Sequence, residues 1–211
     1  IPSYQFARVI QKGNKVLITP LNNDNEKDEY ADFYPDVKFK DGNIYTLRIV
    51  SDTDRAVYLD GKLISFGQYA DYPDTPVYED IILPAARNSK LKITVWHSGI
   101  DSQTHVATEA YVAFCIYEGD CIIYSSSSET LCRPTPEYVP HLCKVITGQM
   151  GAGFAMTGRA DPSVLRKAVV KDIEIKSLRK RATKSLYLDT PIEGLIVEQG
   201  YCKFICVKLY I

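Results

Sequence analysis

Nowhere in this 211-residue chain is there an apolar run of the about 20 residues that a membrane-crossing helix needs. Its opening, "IPSYQFARVI", has no charged stretch leading into an apolar one, so it carries no secretory signal pattern; it also lacks an initiator Met. Charge of one sign is missing too. With 25 Lys and Arg against 26 Asp and Glu, the net charge is −1, and no global field draws in nucleic acid or an anionic membrane. Zinc hooks are absent: "HLC" at His141–Cys143 and the Cys202/Cys206 spacing do not make paired ligands. The six cysteines, Cys115, Cys121, Cys132, Cys143, Cys202 and Cys206, mostly sit in apolar strand-like runs where a free thiol behaves as a small hydrophobe. Reduced thiols and a cytoplasmic setting are therefore expected. Helical periodicity is scarce, the best stretch being Asp161–Val169, where an Asp cap and a first-turn Pro predict one short helix.

Present instead are tyrosines and short strands. Fifteen Tyr stand against seven Phe and one Trp, and Tyr suits half-buried β surfaces and polyhydroxylated ligands equally. After "NIYTLRIV", which ends at Val50, "RAVYLDGKLISF" sets two apolar runs around Asp60-Gly61, the strongest short hairpin signal. "VYEDIIL", "SKLKITVWHS" and the hairpin "YVAFCIYEGDCIIYS" follow. Beyond a Pro-rich link at Arg133–Pro140 come "AVVKDIEIKSL", "KSLYLD", "IEGLIVEQ" and "YCKFICVKLYI". Such spacing predicts an all-β jelly-roll sandwich with a C-terminal β extension. Residues 1–30 read as an N-terminal strand and polar loop, 31–132 as the sandwich, and 133–211 as a linker plus the extension. Pro20–Tyr30 and the basic Ser177–Lys184 are expected to be solvated loops, and Thr147–Phe154 a close-packed Gly-rich turn. The last strand is apolar on both faces, which predicts burial on both sides or cover from a following domain.

Chemistry is hardest to place. The stretch "FGQYADYPDTPVYEDIIL" mixes Tyr, Asp, Glu and Pro between two strands. As a sugar site, Tyr69 and Tyr72 would stack on ring faces while Asp71 and Asp74 accept hydroxyl hydrogen bonds, with Gln68 and His97 as a polar rim. Trp96 is a second stacking candidate, because alternation along "SKLKITVWHS" puts it on the more polar face with Lys92 and Thr94. The same loop could equally serve as packing or docking surface, with Trp96 covered by it. His97, Asp101 and His105 follow no metal-ligand spacing. No cofactor is expected, apart from a structural calcium for which Asp52–Arg55 or the Asp71/Asp74 loop would supply oxygens. No carboxylate pair stands out for glycoside hydrolysis, and no Gly-x-Ser-x-Gly elbow occurs.

Taken in order, "AVYLDGKLISF", "GQYADYP", "VYEDIIL", the "NSKLKITVWHSG" strand, "SSSSETLCR", "ITGQMGAGF" and "VVKDIEIKSLRKR" resemble the non-catalytic N-terminal β-sandwich region of bacterial α-L-rhamnosidase-like glycoside hydrolases. The resemblance runs from Tyr45 to Leu195. It implies a galactose-binding-like jelly roll serving as an accessory module, with the catalytic domain of the same parent polypeptide as partner and glycan as a contact. In that family, inverting hydrolysis of terminal α-L-rhamnose uses acids in a separate helical barrel, so no catalytic residue carries over to this chain. The rival expectation is a protein–protein interaction sandwich with no sugar role.

Overall fold

Short apolar runs between turn residues build most of the described elements, some strands buried on one face and others, such as Tyr45–Asp52 and Tyr111–Glu118, on both. In the computed structural model, the described residues are 15–18, 27–67, 76–101, 106–107, 110–141, 145–147, 151–156, 164–172 and 178–182. They form strands β1 (Lys15–Ile18), β2 (Glu29–Tyr34), β3 (Tyr45–Asp52), β4 (Asp54–Leu59), β5 (Lys62–Gly67), β6 (Val77–Leu83), β7 (Leu91–His97) and β8 (Tyr111–Glu118). Shorter strands follow: β9 (Cys121–Ser125), β10 (Leu131–Pro134), β11 (Val145–Thr147), β12 (Gly151–Ala152), β13 (Arg166–Lys167), β14 (Val169–Asp172) and β15 (Arg179–Lys180). None of these residues is helical, so no helix among them is long and apolar enough to cross a membrane.

Two sheets result. The first runs β14-β1-β8-β3-β6-β15, with β9 also paired to β8; the second runs β13-β10-β2-β7-β4-β5. Within them the first eight strands take the orders 1-8-3-6 and 2-7-4-5, the connectivity of a jelly roll. The expected all-β sandwich is therefore present. Tyr45, Leu47 and Ile49 of β3, Ile81 and Leu83 of β6, and Phe114 and Ile116 of β8 face inward from the first sheet. Ala31 and Phe33 of β2, Val57 of β4, and Ile93 and Val95 of β7 meet them from the second. Asp60 and Gly61 both take positive φ (53° and 78°), so the β4–β5 hairpin turns as its Asp-Gly pair predicts.

Consecutive acids on β6 organise the rest. Strand alternation sends Glu79 into the sandwich and Asp80 to the outer face. Asp80 accepts from the fully buried Arg48 at 2.5 Å (Nε) and 2.8 Å (Nη2), and Lys180 reaches it at 2.9 Å. The Arg48 guanidinium lies over the rings of Tyr78 (4.6 Å) and Tyr117 (5.5 Å). Glu79 takes Arg55 from β4 on one carboxylate oxygen and Arg181 on the other.

Four segments differ from the sequence reading. Lys180 and Arg181, expected in a solvated basic loop, are clamped on β6 by those acids and by the backbone bond from Arg181 N to Tyr78 O (2.9 Å). The short helix expected over Asp161–Val169 is replaced, from Arg166 onward, by edge strands that complete the ladders of β10 and β1. Ladder pairing outweighed weak helical periodicity. The Pro-rich link begins with strand β10, whose Pro134 needs no donor at the strand's end. Glu29 and Tyr30, read as loop, open the central strand β2. Beside the Gly-rich stretch, expected as a turn, β11 pairs antiparallel with β12. The predicted C-terminal strands lie outside the described residues.

Burial alone would raise the Asp80 carboxyl, but the hydrogen bonds and charge of Arg48 and Lys180 hold it below the usual carboxylate value. A group depressed in the folded state contributes fully above its unfolded pKa, near 3.9, and loses that contribution as pH falls through the folded value. Asp80→Asn should therefore cost about 3 kcal/mol at pH 7, with the gap to wild type closing below about pH 4. Urea midpoints of both proteins across pH 7 to 3 check this; a gap independent of pH contradicts it. Burial also raises the thiols of Cys115 and Cys132, the latter to about 11, whereas Cys121 is exposed. Iodoacetamide followed by peptide mapping should mark Cys121 in the native protein, and Cys115 and Cys132 only after unfolding.

Candidate functional site

The outward residues of the second sheet lie in two registered rows. Tyr30 of β2, Trp96 of β7 and Asp54 of β4 are cross-strand neighbours in one; Asp32, Thr94, Ala56 and Phe66 of β5 make the other. Ala56 and Thr94 are small, so a hollow forms between larger neighbours. An arch covers one side of it. Thr135 N donates to Tyr30 O (3.0 Å) and His141 N to Asp28 O (3.1 Å), which carries residues 135–141 past the start of β2. Tyr138 on this arch stacks on Tyr30, centroids 4.7 Å apart and planes at 9°, and Tyr30 stacks on Trp96 at 6.2 Å and 21°. Val139 N bonds Ala155 O (2.9 Å), and Phe154 sets its edge against Tyr138 at 5.7 Å. The outcome is an open groove of about 400 Å³ with an aromatic lining.

Buried carboxylates hold this lining from beneath. Trp96 Nε1 donates to Asp28 Oδ1 at 2.9 Å. Asp32, fully buried on the outer face, accepts from Thr94 Oγ1 (2.7 Å), Thr135 Oγ1 (3.1 Å) and the Tyr34 hydroxyl (3.1 Å), with Arg133 Nε at 3.6 Å. It thereby ties the floor of the groove to the arch. Burial, and then the Asp32 charge, push the Tyr34 hydroxyl up to about 12, which keeps it a proton donor to that carboxylate. Asp54 and Arg55 are the charged residues among the described lining, and Arg55 is paired with Glu79.

Of the residues expected at a sugar site, the structure places two. Trp96 is half-buried on the outer face and lines the groove. His97, expected as a rim, points the other way: it is 4 % exposed, with Nδ1 3.4 Å from Asp52 Oδ1, which also accepts from Thr53 Oγ1 at 2.6 Å. That cluster props the end of β7 and does not reach the groove. Gln68, Tyr69, Asp71, Tyr72 and Asp74 lie outside the described residues. Tyr30, Phe66, Tyr138 and Phe154 were missed as a group. Their signal was distributed, since only the pairing of β2 with β7 and the folding back of the arch bring them together. Among the described residues no three His, Cys, Asp or Glu side chains gather as a metal site would require.

No protein-family model matches the sequence, and no curated protein matches it. Among solved structures, a GH78 family rhamnosidase of Bacillus sp. GL1 superposes over 81% of this chain with a TM-score of 0.68 and 14% identity. The match spans 20% of that rhamnosidase's length. At this identity the likeness shows a shared β-sandwich fold, and function has to be argued from the site.

Trp96 is the sole tryptophan, so its emission reports on the groove alone. Asp28→Ala removes the acceptor of its ring N–H. Acrylamide quenching should rise and stability fall by about 1–3 kcal/mol; unchanged quenching would count against the anchoring role of Asp28.

Proposed function

We propose that this chain is an accessory, non-catalytic module of an α-L-rhamnosidase-like glycoside hydrolase, supporting the catalytic domain and contacting glycan through the groove of the second sheet. The observation that carries the reading is the stacked Trp96–Tyr30–Tyr138 set bordering small floor residues on an open sheet face. Flat aromatic rings suit the apolar C–H faces of sugars, while Asp54 and the tyrosine hydroxyls offer polar contact at their margin. Cleavage of a glycosidic bond takes two carboxyl groups flanking it. Asp54 is the one carboxylate among the described lining residues, and the role proposed for the groove is holding. The fold shared with one fifth of a rhamnosidase supports placing the module in such a parent.

One observation favours the alternative, an interaction module without sugar binding. On the outer face of the first sheet, Ile122 (38% exposed) pairs with the buried Tyr117, and Ile82 (61%) stands in the same row across Thr46, so exposed apolar side chains lie on a face suited to packing against another domain. The two readings separate in a titration of L-rhamnose and rhamnosides followed by amide chemical shifts and calorimetry. Shifts should gather on Tyr30, Thr94 and Trp96, and Trp96→Ala should weaken binding at least tenfold, or about 1.4 kcal/mol. Unperturbed spectra at high sugar concentration leave docking as the function.

A further inference from the structure

We infer that the groove takes an internal stretch of a neutral, extended oligosaccharide chain lying across the strands, and not a lone terminal sugar. This rests on the glycan-contact reading above and narrows it to a ligand class. The first support is length. Phe66 stands on β5 and Tyr30 on β2, three inter-strand steps apart in the order β2-β7-β4-β5, or about 14 Å. Tyr138 and Phe154 prolong the aromatic lining from the β2 side. A single pyranose ring covers only part of that distance.

The second support is where the rings are exposed. Phe66 (41%) and Phe154 (66%) belong to opposite sides of the groove and remain open to solvent, as flanking platforms for successive rings would. The third is the direction of the hydrogen bonds. The Trp96 ring N–H is turned onto Asp28 and the Thr94 hydroxyl onto Asp32, both beneath the surface. What faces the groove is therefore mostly ring surface. Stacking tolerates any sugar with a C–H face, whereas recognition of a chain terminus relies on directional donors and acceptors. Charge supplies the fourth. Among the described lining residues the charges are one acid and one base, Asp54 and Arg55, adjacent on β4, a balance that suits a ligand without net charge.

The full 211-residue chain is titrated by calorimetry with neutral gluco-, xylo-, manno- and rhamno-oligosaccharides of one to six rings, and with oligogalacturonates as the charged comparison. In the best-bound neutral series, affinity should rise at least tenfold from one ring to three and then level off. Phe66→Ala and Phe154→Ala, both at exposed positions, should each weaken binding of the longer members by about threefold to tenfold and leave the single sugar unchanged. A monosaccharide bound as tightly as its trimer overturns the chain inference while glycan contact survives. Preference for the galacturonates overturns its neutrality. Silence across the whole panel from a folded protein, judged by its amide spectrum, overturns this inference and the glycan reading together.

Discussion

The ion pair between Arg55 of β4 and Glu79 of β6 is the constraint from which most of this structure can be argued. It joins the two sheets at one end of the sandwich, where both side chains are almost fully buried. Two charges in such a place are costly to desolvate, and their attraction roughly offsets that cost only when geometry is good. The value of the pair is therefore registration more than net stability, because a slip of either strand leaves a charge buried alone. Its demands spread outward. At Gly67, a Cβ would fall 2.6 Å from the Arg55 guanidinium carbon, so any side chain there would have to push that guanidinium off its place beside Glu79. The second oxygen of Glu79 takes Arg181, and its neighbour Asp80 takes Arg48 and Lys180, which fixes residues 178–182 along the edge of β6.

On the other layer a single carboxylate has a similar reach. Asp32 sits mid-strand on a face that would ordinarily meet water, yet it is fully buried because donors from β7, from the arch and from its own strand converge on it. A buried carboxylate is tolerable only with its acceptor sites filled, so the arch has to return across β2. That return is what sets Tyr138 on Tyr30 and, through it, Phe154 beside the groove. The aromatic surface is thus a consequence of satisfying one buried acid.

These features explain what could be read from the letters and what could not. The hairpins at Asp60-Gly61 and Gly119-Asp120, the apolar runs of β6 and β8 and the alternation of β7 are local signals, and each of those strands stands where its pattern puts it. Trp96 was assigned to the outer face by the same rule, and lies there. Strand β2 escaped notice because its alternating set includes Glu29 and Asp32, residues that normally mark loops. The burial of Asp32 depends on Thr94 and Thr135, 62 and 103 residues away along the chain. The basic run around Arg179 likewise reads as a solvated loop until Glu79 and Asp80 are brought against it. Long-range pairing of charge leaves no period in the sequence, so the groove and the clamp had to be seen in three dimensions.

The sandwich's two outer faces are chemically unlike, and that contrast bears on how one module could serve a larger enzyme. Leu178 packs onto Val50, Tyr78, Ala113, Cys115 and Tyr117 on the outside of the first sheet, next to the ion-paired strap and the exposed Ile82. The groove opens on the outside of the second sheet, beyond a core about 10 Å thick. A domain resting on the first face would leave the aromatic surface uncovered, and a chain lying along the groove would not touch the strap. The proposed support and ligand contact are then compatible within one fold, since different acids organise the two faces: Glu79 and Asp80 on the first, Asp28 and Asp32 on the second. Arg55 belongs to the groove lining and pairs with Glu79, so one guanidinium connects the groove to the acids of the first sheet.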